Sequence, residues 1–303
     1  MRIVILGSAA GGGSPQWNCR CRICSLAWNG DARVGRRTQA SLAVSIDDRA
    51  WCLVDCSPDI REQISASRWL QPAAETRGTP ICDIVLTSGD IDHIGGLLSL
   101  RESQRFSIHA SPEVLDILGS NPVFDVLDPA HVSRQAIVAG RPVTLGCGVT
   151  VELFPVPGKE PLYLEGKVSQ SLQKTGQMSG YNVGMRVSAG DASFFYVPGC
   201  AAIDEELAGR IGGAKLVVFD ATLWTDDEMI ASGAGHKTGR RMGHMPVSGA
   251  DGSLAALAAL GIERLIYTHI NNTNPLLIDG SPERRRIEAA KAEVAYDGME
   301  IAL

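Results

Sequence analysis

The chain has 303 residues, of which 45% are hydrophobic, 20% charged and 5% aromatic, enough to bury a large core as one big domain or two ordinary ones. That aliphatic content, without long polar or charged runs, excludes global disorder. With 28 basic against 34 acidic residues, a formal charge of −6, the balance argues against wrapping nucleic acid or adhering to an anionic membrane and favours small-molecule or peptide chemistry. The apolar run at residues 1–6 is too short for a signal-peptide core, and no run approaches the ~20 residues of a membrane span. A cytoplasmic protein is expected, with its eight cysteines reduced and acting as ligands, nucleophiles or small core residues.

Residues 2–6 predict a short buried strand that runs into a glycine-rich stretch, 7–13. No helical apolar spacing follows at 14–18, so these glycines predict a strand-to-loop turn rather than a phosphate cradle. Cys19, Cys21 and Cys24 then place three thiols within six residues, a spacing that lets them converge on one tetrahedral zinc, with a redox cluster as the alternative. The motif lacks a fourth ligand, which a distant His or Asn must supply. Residues 41–46 and 51–54 predict a hairpin that ends at Asp55, and Pro58 opens a helix reaching residue 69.

Residues 81–87 predict a strand, followed by the polar turn Ser88-Gly89-Asp90-Ile91-Asp92-His93-Ile94-Gly95-Gly96 and a helix over 95–105. Asp90, Asp92 and His93 could point at one iron, manganese or zinc ion, or the carboxylates could simply favour the start of that helix. A short strand at 108–110, a helix over 112–118 and paired strands within 143–154 come next. The proline- and glycine-bearing stretch 155–179 predicts a mobile flap. Residues 181–187 and 193–197 predict another hairpin, 203–211 a helix, 215–219 a buried strand ending at Asp220, 254–260 a helix and 264–268 a strand ending at His269. Polar groups directly after several buried strands make a site when they share one edge. His244 adds a loop imidazole able to donate a proton or to orient a ligand. Cys52 and Cys82 read as small buried hydrophobes, and His109 and His131 as structural.

In this order, Asp55, the 88–93 turn, Gly243-His244, Thr268-His269 and the terminal Asp297-Gly298-Met299-Glu300-Ile301 resemble the metallo-β-lactamase superfamily over nearly the whole chain. The Cys-x-Cys-x-x-Cys loop is similar to that of the phosphodiesterase associated with phosphonate breakdown. The 88–96 stretch together with His269-Ile270-Asn271-Asn272-Thr273-Asn274-Pro275 resembles the pyrroloquinoline quinone (PQQ) biosynthesis protein B family.

The resemblance implies an α/β (α+β) four-layer αββα sandwich, one domain over 1–303, with a structural metal loop at 17–26. Its site would lie where the loops after Thr87, Phe219 and Thr268 meet. Two histidines of the superfamily's metal motif are replaced by Ser88 and Asp90, no histidine follows at 155–159, and Cys200 stands where a bridging aspartate is expected. One of two metal sites is thereby dismantled. The surviving ligands the resemblance implies are Asp92, His93 and His269, a set suited to Fe(II) or another divalent metal and to oxygen activation rather than two-metal hydrolysis. Asp90, Asp220 and His244 would complete the shell or move protons. Asn272, where the related phosphodiesterase has a histidine, would complete the Cys19, Cys21 and Cys24 zinc. The implied reaction is hydroxylation of the tyrosine ring of a peptide-derived, crosslinked Glu-Tyr precursor of PQQ. A non-catalytic carrier aiding transport of PQQ or its precursor to the periplasm, and a residual metal-dependent hydrolase, stay open. Other proteins of the PQQ pathway are the expected partners, and a homodimer is left open.

Overall fold

The computed structural model describes residues 1–73, 76–165 and 177–303. Its strands are β1 (Arg2–Gly7), β2 (Ser41–Ser45), β3 (Trp51–Val54), β4 (Ile81–Val85), β5 (Phe106–Ala110), β6 (Val132–Ala136), β7 (Val143–Thr144) and β8 (Thr150–Gly158). There follow β9 (Gln177–Ala189), β10 (Ala192–Val197), β11 (Val217–Asp220), β12 (Leu265–Thr268), β13 (Ala292–Val294) and β14 (Met299–Ala302). Two seven-stranded sheets result, ordered β14-β1-β2-β3-β4-β5-β6 and β13-β12-β11-β10-β9-β8-β7. Each begins as an antiparallel meander and ends in parallel strands, β3 to β6 in the first and β10 to β13 in the second.

The helices are α1 (Arg22–Trp28), α2 (Ile60–Ala66), α3 (Ile91–Ile94), α4 (Pro112–Ser120), α5 (Glu205–Ile211), α6 (Glu228–Ala231), α7 (Ser253–Ala258) and α8 (Pro282–Ala289). Strand alternation sends Ile3, Leu42 and Val85 inward against Leu153, Met185 and Val218 of the facing sheet. On the outer face of the first sheet, Leu53, Ile84 and Ile108 pack with Ile60 of α2 and Val114 of α4. On the outer face of the second, Val217, Phe219 and Tyr267 pack with Leu207 of α5, Leu257 of α7 and Ile287 of α8. This is the expected αββα sandwich, and the C-terminal ends of its parallel strands gather at one edge.

Three expectations change. The helix expected over 95–105 is instead a 3-10 turn, Gly95–Leu100, after the short α3. Gly96 donates its N–H to the Cys56 carbonyl at 2.8 Å, and a Cβ there would come within 2.0 Å of the Ser57 carbonyl, so the segment is pinned too tightly against that turn for a regular helix. The helix after Pro58 stops at Ala66. The start and end of the expected 155–179 flap are strand: Pro155, Pro157 and Gly158 pair with β9. Because β7 covers β8 only at Thr150 and Val151, Pro155 and Pro157 lie beyond it on an edge, where a missing N–H breaks no ladder bond. Residues 166–176 of that flap lie outside the described residues.

Candidate metal centre

Four strand ends build a cleft at the shared edge. Asp55 follows β3, His93 sits in α3 beyond β4, Asp220 closes β11, and His269 follows β12. Asp55 and His269 both adopt left-handed backbone, φ 58° and 57°, which non-glycine residues rarely hold without a constraint from the surrounding fold. His269 Nε2 lies 3.1 Å from Asp92 Oδ2, and His93 Nε2 lies 3.7 Å from the same oxygen. One donor atom from each of Asp92, His93 and His269 falls within 4.8 Å of the others.

The opposite ring nitrogens are also occupied. His93 Nδ1 lies 2.9 Å from Asp55 Oδ2 and 3.2 Å from Thr87 Oγ1, while His269 Nδ1 lies 2.8 Å from Thr222 Oγ1. Such partners fix the tautomer and leave both Nε2 atoms as donors toward one point, the arrangement of a metal ligand backed by a carboxylate. Burial opposes charge on His93, but Asp55 and Asp92 outweigh it and raise its pKa to about 10. His269 is likewise raised to about 9 against burial by Asp220 and Asp92. Asp92 and Asp220 are held well below the ordinary carboxylate range, against burial, by His93 and His244 respectively together with His269. Without a cation, the histidine protons neutralise the carboxylates; a divalent ion would take their place.

Asp220 and His244 form a second pair beside this trio. His244 Nδ1 lies 2.6 Å from Asp220 Oδ2, and the His244 ring stacks on His269 with centroids 5.3 Å apart. Asp90 lines the same cleft but stands outside the converging donors, accepting from Ser88 Oγ and the Leu162 N–H. Although Asp90 occupies the N-cap of α3, its side chain makes no capping bond. The cleft measures about 400 Å³ and is also lined by Lys159, Lys237 and Asn182. Asp55, Thr87 and Thr222 as orienting partners, and the two lysines as cationic lining, escape a reading of spacing alone.

Cys19, Cys21 and Cys24 converge as their spacing predicts, because Cys21 caps the short helix α1, accepting from the Cys24 N–H, and so folds the loop back on itself. Asn272 arrives from the loop after β12, with Nδ2 3.2 Å from both Cys19 and Cys24 Sγ. Its Oδ1 is buried without a hydrogen-bond partner, and a half-turn of the amide would present that oxygen to the sulfurs. Burial opposes charge on the Cys19 thiol, yet the Cys21 N–H and neighbouring side chains hold its pKa below the usual thiol value. Three sulfurs and an amide oxygen fit a closed structural metal site.

A model of the beta-lactamase superfamily domain matches residues 50–270. The coenzyme PQQ synthesis protein B of Methylobacterium sp. (strain 4-46) is 50% identical over 303 residues, 100% of both chains. That of Xanthomonas campestris pv. campestris (strain B100) is 49% identical over the same span. The chain belongs to the coenzyme PQQ synthesis protein B family of the beta-lactamase superfamily. Zn(2+)-bound PqqB from Methylobacterium extorquens overlays it with a TM-score of 0.96 at 48% identity, covering 100% of each chain. A diphosphatase from the PhnP family, 22% identical with a TM-score of 0.71 over 100% of this chain and 97% of that one, shares the fold. In this PQQ synthesis protein B family member, Cys200 is buried and donates to the Ala202 carbonyl, while its N–H donates to Asp220. No helix among the described residues is long and apolar enough to cross a membrane.

Proposed function

We propose that this chain acts in coenzyme PQQ synthesis as a metal-dependent hydroxylase of the tyrosine ring of the crosslinked Glu-Tyr precursor. The family supports the pathway. The observation that carries the reaction class is the convergence of two imidazole Nε2 atoms and one carboxylate oxygen on a single point beside a 400 Å³ cleft. Asp92, His93 and His269 hold the metal, with Asp55 and Thr222 keeping the rings in register. Bound there, a non-haem Fe(II) supplies oxygen activation, for which two histidines and one carboxylate leave open positions. His244 has Nδ1 tied to Asp220, so its Nε2 is the nitrogen left to take the proton released when the ring is hydroxylated. Lys237 lies 3.2 Å from Glu165 and Lys159 3.7 Å from it, so the two ammonium groups can exchange that carboxylate for those of the precursor. Asp90, held by Ser88 and Leu162, shapes the cleft wall and its charge. In this reading the chain works as one domain over 1–303, and the 17–26 loop holds structural zinc through Cys19, Cys21, Cys24 and a turned Asn272.

The zinc of the Methylobacterium extorquens relative favours a second reading, a zinc-dependent hydrolase. Anaerobic, metal-stripped protein reloaded in turn with Fe(II) and Zn(II) and given the precursor separates them. The hydroxylase consumes oxygen only with Fe(II), precursor and a two-electron reductant such as ascorbate together, one oxygen atom entering the ring and the other leaving as water. Oxygen-independent turnover with Zn(II) makes the chain a hydrolase, and tight precursor binding with no turnover under either metal makes it a carrier.

A further inference from the structure

At the far end of β4 from the cleft, a second group of donors fills the space between the sheets. Cys82 and Asp83 lie on β4, and Cys147 comes from the turn joining β7 to β8 in the facing sheet. One donor atom from each lies within 4.8 Å of the other two. Asp83 is 2% exposed and points into the apolar layer that holds Val54, Val85 and Val149. Its Oδ2 accepts the Cys147 N–H at 2.9 Å and lies 3.4 Å from Cys82 Sγ, and its Oδ1 lies 2.8 Å from His109 Nε2.

A carboxylate this deep must be compensated, and against burial the His109 ring, the Cys147 N–H and Cys82 hold its pKa below the usual carboxylate value, so it stands ready as an anionic ligand. Among the described residues no lysine or arginine pairs with Asp83, and His109 Nδ1 is buried with no partner. Two thiols beside a buried carboxylate make a donor set for a borderline cation, with the Asp83–His109 contact orienting the carboxylate from behind. Asp83 to Thr87 is four residues of extended chain, roughly 13 Å, so the group is separate from the cleft.

We propose that Cys82, Asp83 and Cys147 bind a thiophilic divalent cation of the zinc or cadmium class, fastening the β7–β8 turn of one sheet to β4 of the other. Both thiols release their protons to solvent on binding, and water at the half-exposed Cys82 side supplies the remaining position. This replaces the reading of Cys82 as a buried hydrophobe.

The test titrates the reduced, metal-stripped full chain with Cd(II) under nitrogen and follows the thiolate-to-cadmium absorption band. Cys82→Ser and Cys147→Ser are each expected to bind one thiolate-ligated equivalent fewer than the wild type. Because the readout is a difference, occupancy of the Cys19 to Cys24 loop cancels from it. Equal equivalents in wild type and variants overturn the proposal. Alkylation of the wild type, mapped by mass spectrometry, needs no variant: saturating Cd(II) should slow labelling of Cys82 at least about tenfold, since the free thiolate is the reactive form. An unchanged rate at Cys82 overturns the site.

Discussion

The histidine cleft and the thiol loop are built on opposite principles, yet one loop serves both. Cys19, Cys21 and Cys24 are close in sequence, use soft sulfur donors and fold around their own centre. Asp92, His93 and His269 come from distant strand ends, use hard or borderline donors, and open onto a cavity. The closed set suits structure and the open set suits chemistry. His269 and Asn272 are three residues apart on the loop after β12. That loop is clamped by hydrogen bonds from the Ile270 N–H to the Ser8 carbonyl, from the Asn271 N–H to the Thr222 carbonyl, and from Asn274 Nδ2 to the Ala221 carbonyl. Asn272 adds the thiol loop to these clamps, its Nδ2 lying 3.2 Å from Cys19 and Cys24 Sγ and its carbonyl accepting from Cys21 Sγ, three residues from His269.

The sharpest way to break the comparison is to remove a ligand from one side only. His93→Ala is expected to abolish turnover and weaken metal binding in the cleft by more than about a hundredfold, while metal at the thiols stays, as elemental analysis per chain will show. Simultaneous loss of both metals would mean that the two sites form a single cooperative unit. His244→Gln should lower kcat by roughly 10²- to 10⁴-fold with cleft metal retained, because it removes only the proton-transfer group. Asp55→Asn, which keeps the shape but removes the charge behind His93, should weaken cleft metal affinity about 10- to 100-fold, measured by competition with a chelator.

Acidity separates the two regions further. A cation entering the cleft must displace the protons on His93 and His269, so its affinity should climb with pH until about 9 to 10, releasing up to two protons in a calorimetric titration run in two buffers. In metal-free protein the sign runs the other way. The stabilisation from the raised histidines is fully present below their ordinary value of 6.5 and is lost as pH rises through 9 to 10. That from Asp92 and Asp220, whose values are lowered, is present above 3.8 and fades as the medium becomes more acidic than that. Thermal unfolding of the metal-free chain should therefore peak between about pH 4 and 6.5 for these groups. Cys24→Ser has the smallest expected effect on the cleft, a loss of less than about tenfold in metal affinity passed along residues 269–272, together with loss of the thiol-bound metal and a lower Tm.

What the sequence reveals follows from how local each signal is. Buried runs ending at Asp220 and His269 expose both strands and their polar ends, since a β-strand announces itself within a few residues. The thiol triplet is equally local. Asp55 stands alone after its hairpin, and only the fold brings it to His93, 38 positions later in the chain, so nothing nearby marks its role. Thr222 is hidden for the same reason. Asp83 and Cys147 are 64 residues apart and meet only because two sheets face each other. Helix α1 is masked by the cysteines that begin it, and α8, with three consecutive arginines, buries only Ile287 and shows little apolar periodicity. Pro155 and Pro157 read as a flap because proline normally ends a strand; the short reach of β7 makes them tolerable.

The most direct test of the central claim is isotopic. The Fe(II)-loaded chain, given ascorbate as two-electron reductant and turning over the crosslinked tyrosine precursor under ¹⁸O₂ in ordinary water, should place ¹⁸O on the product ring, with none incorporated when the label is in the water instead. Label arriving only from water would contradict the account, because the ring oxygen would then not come from O₂.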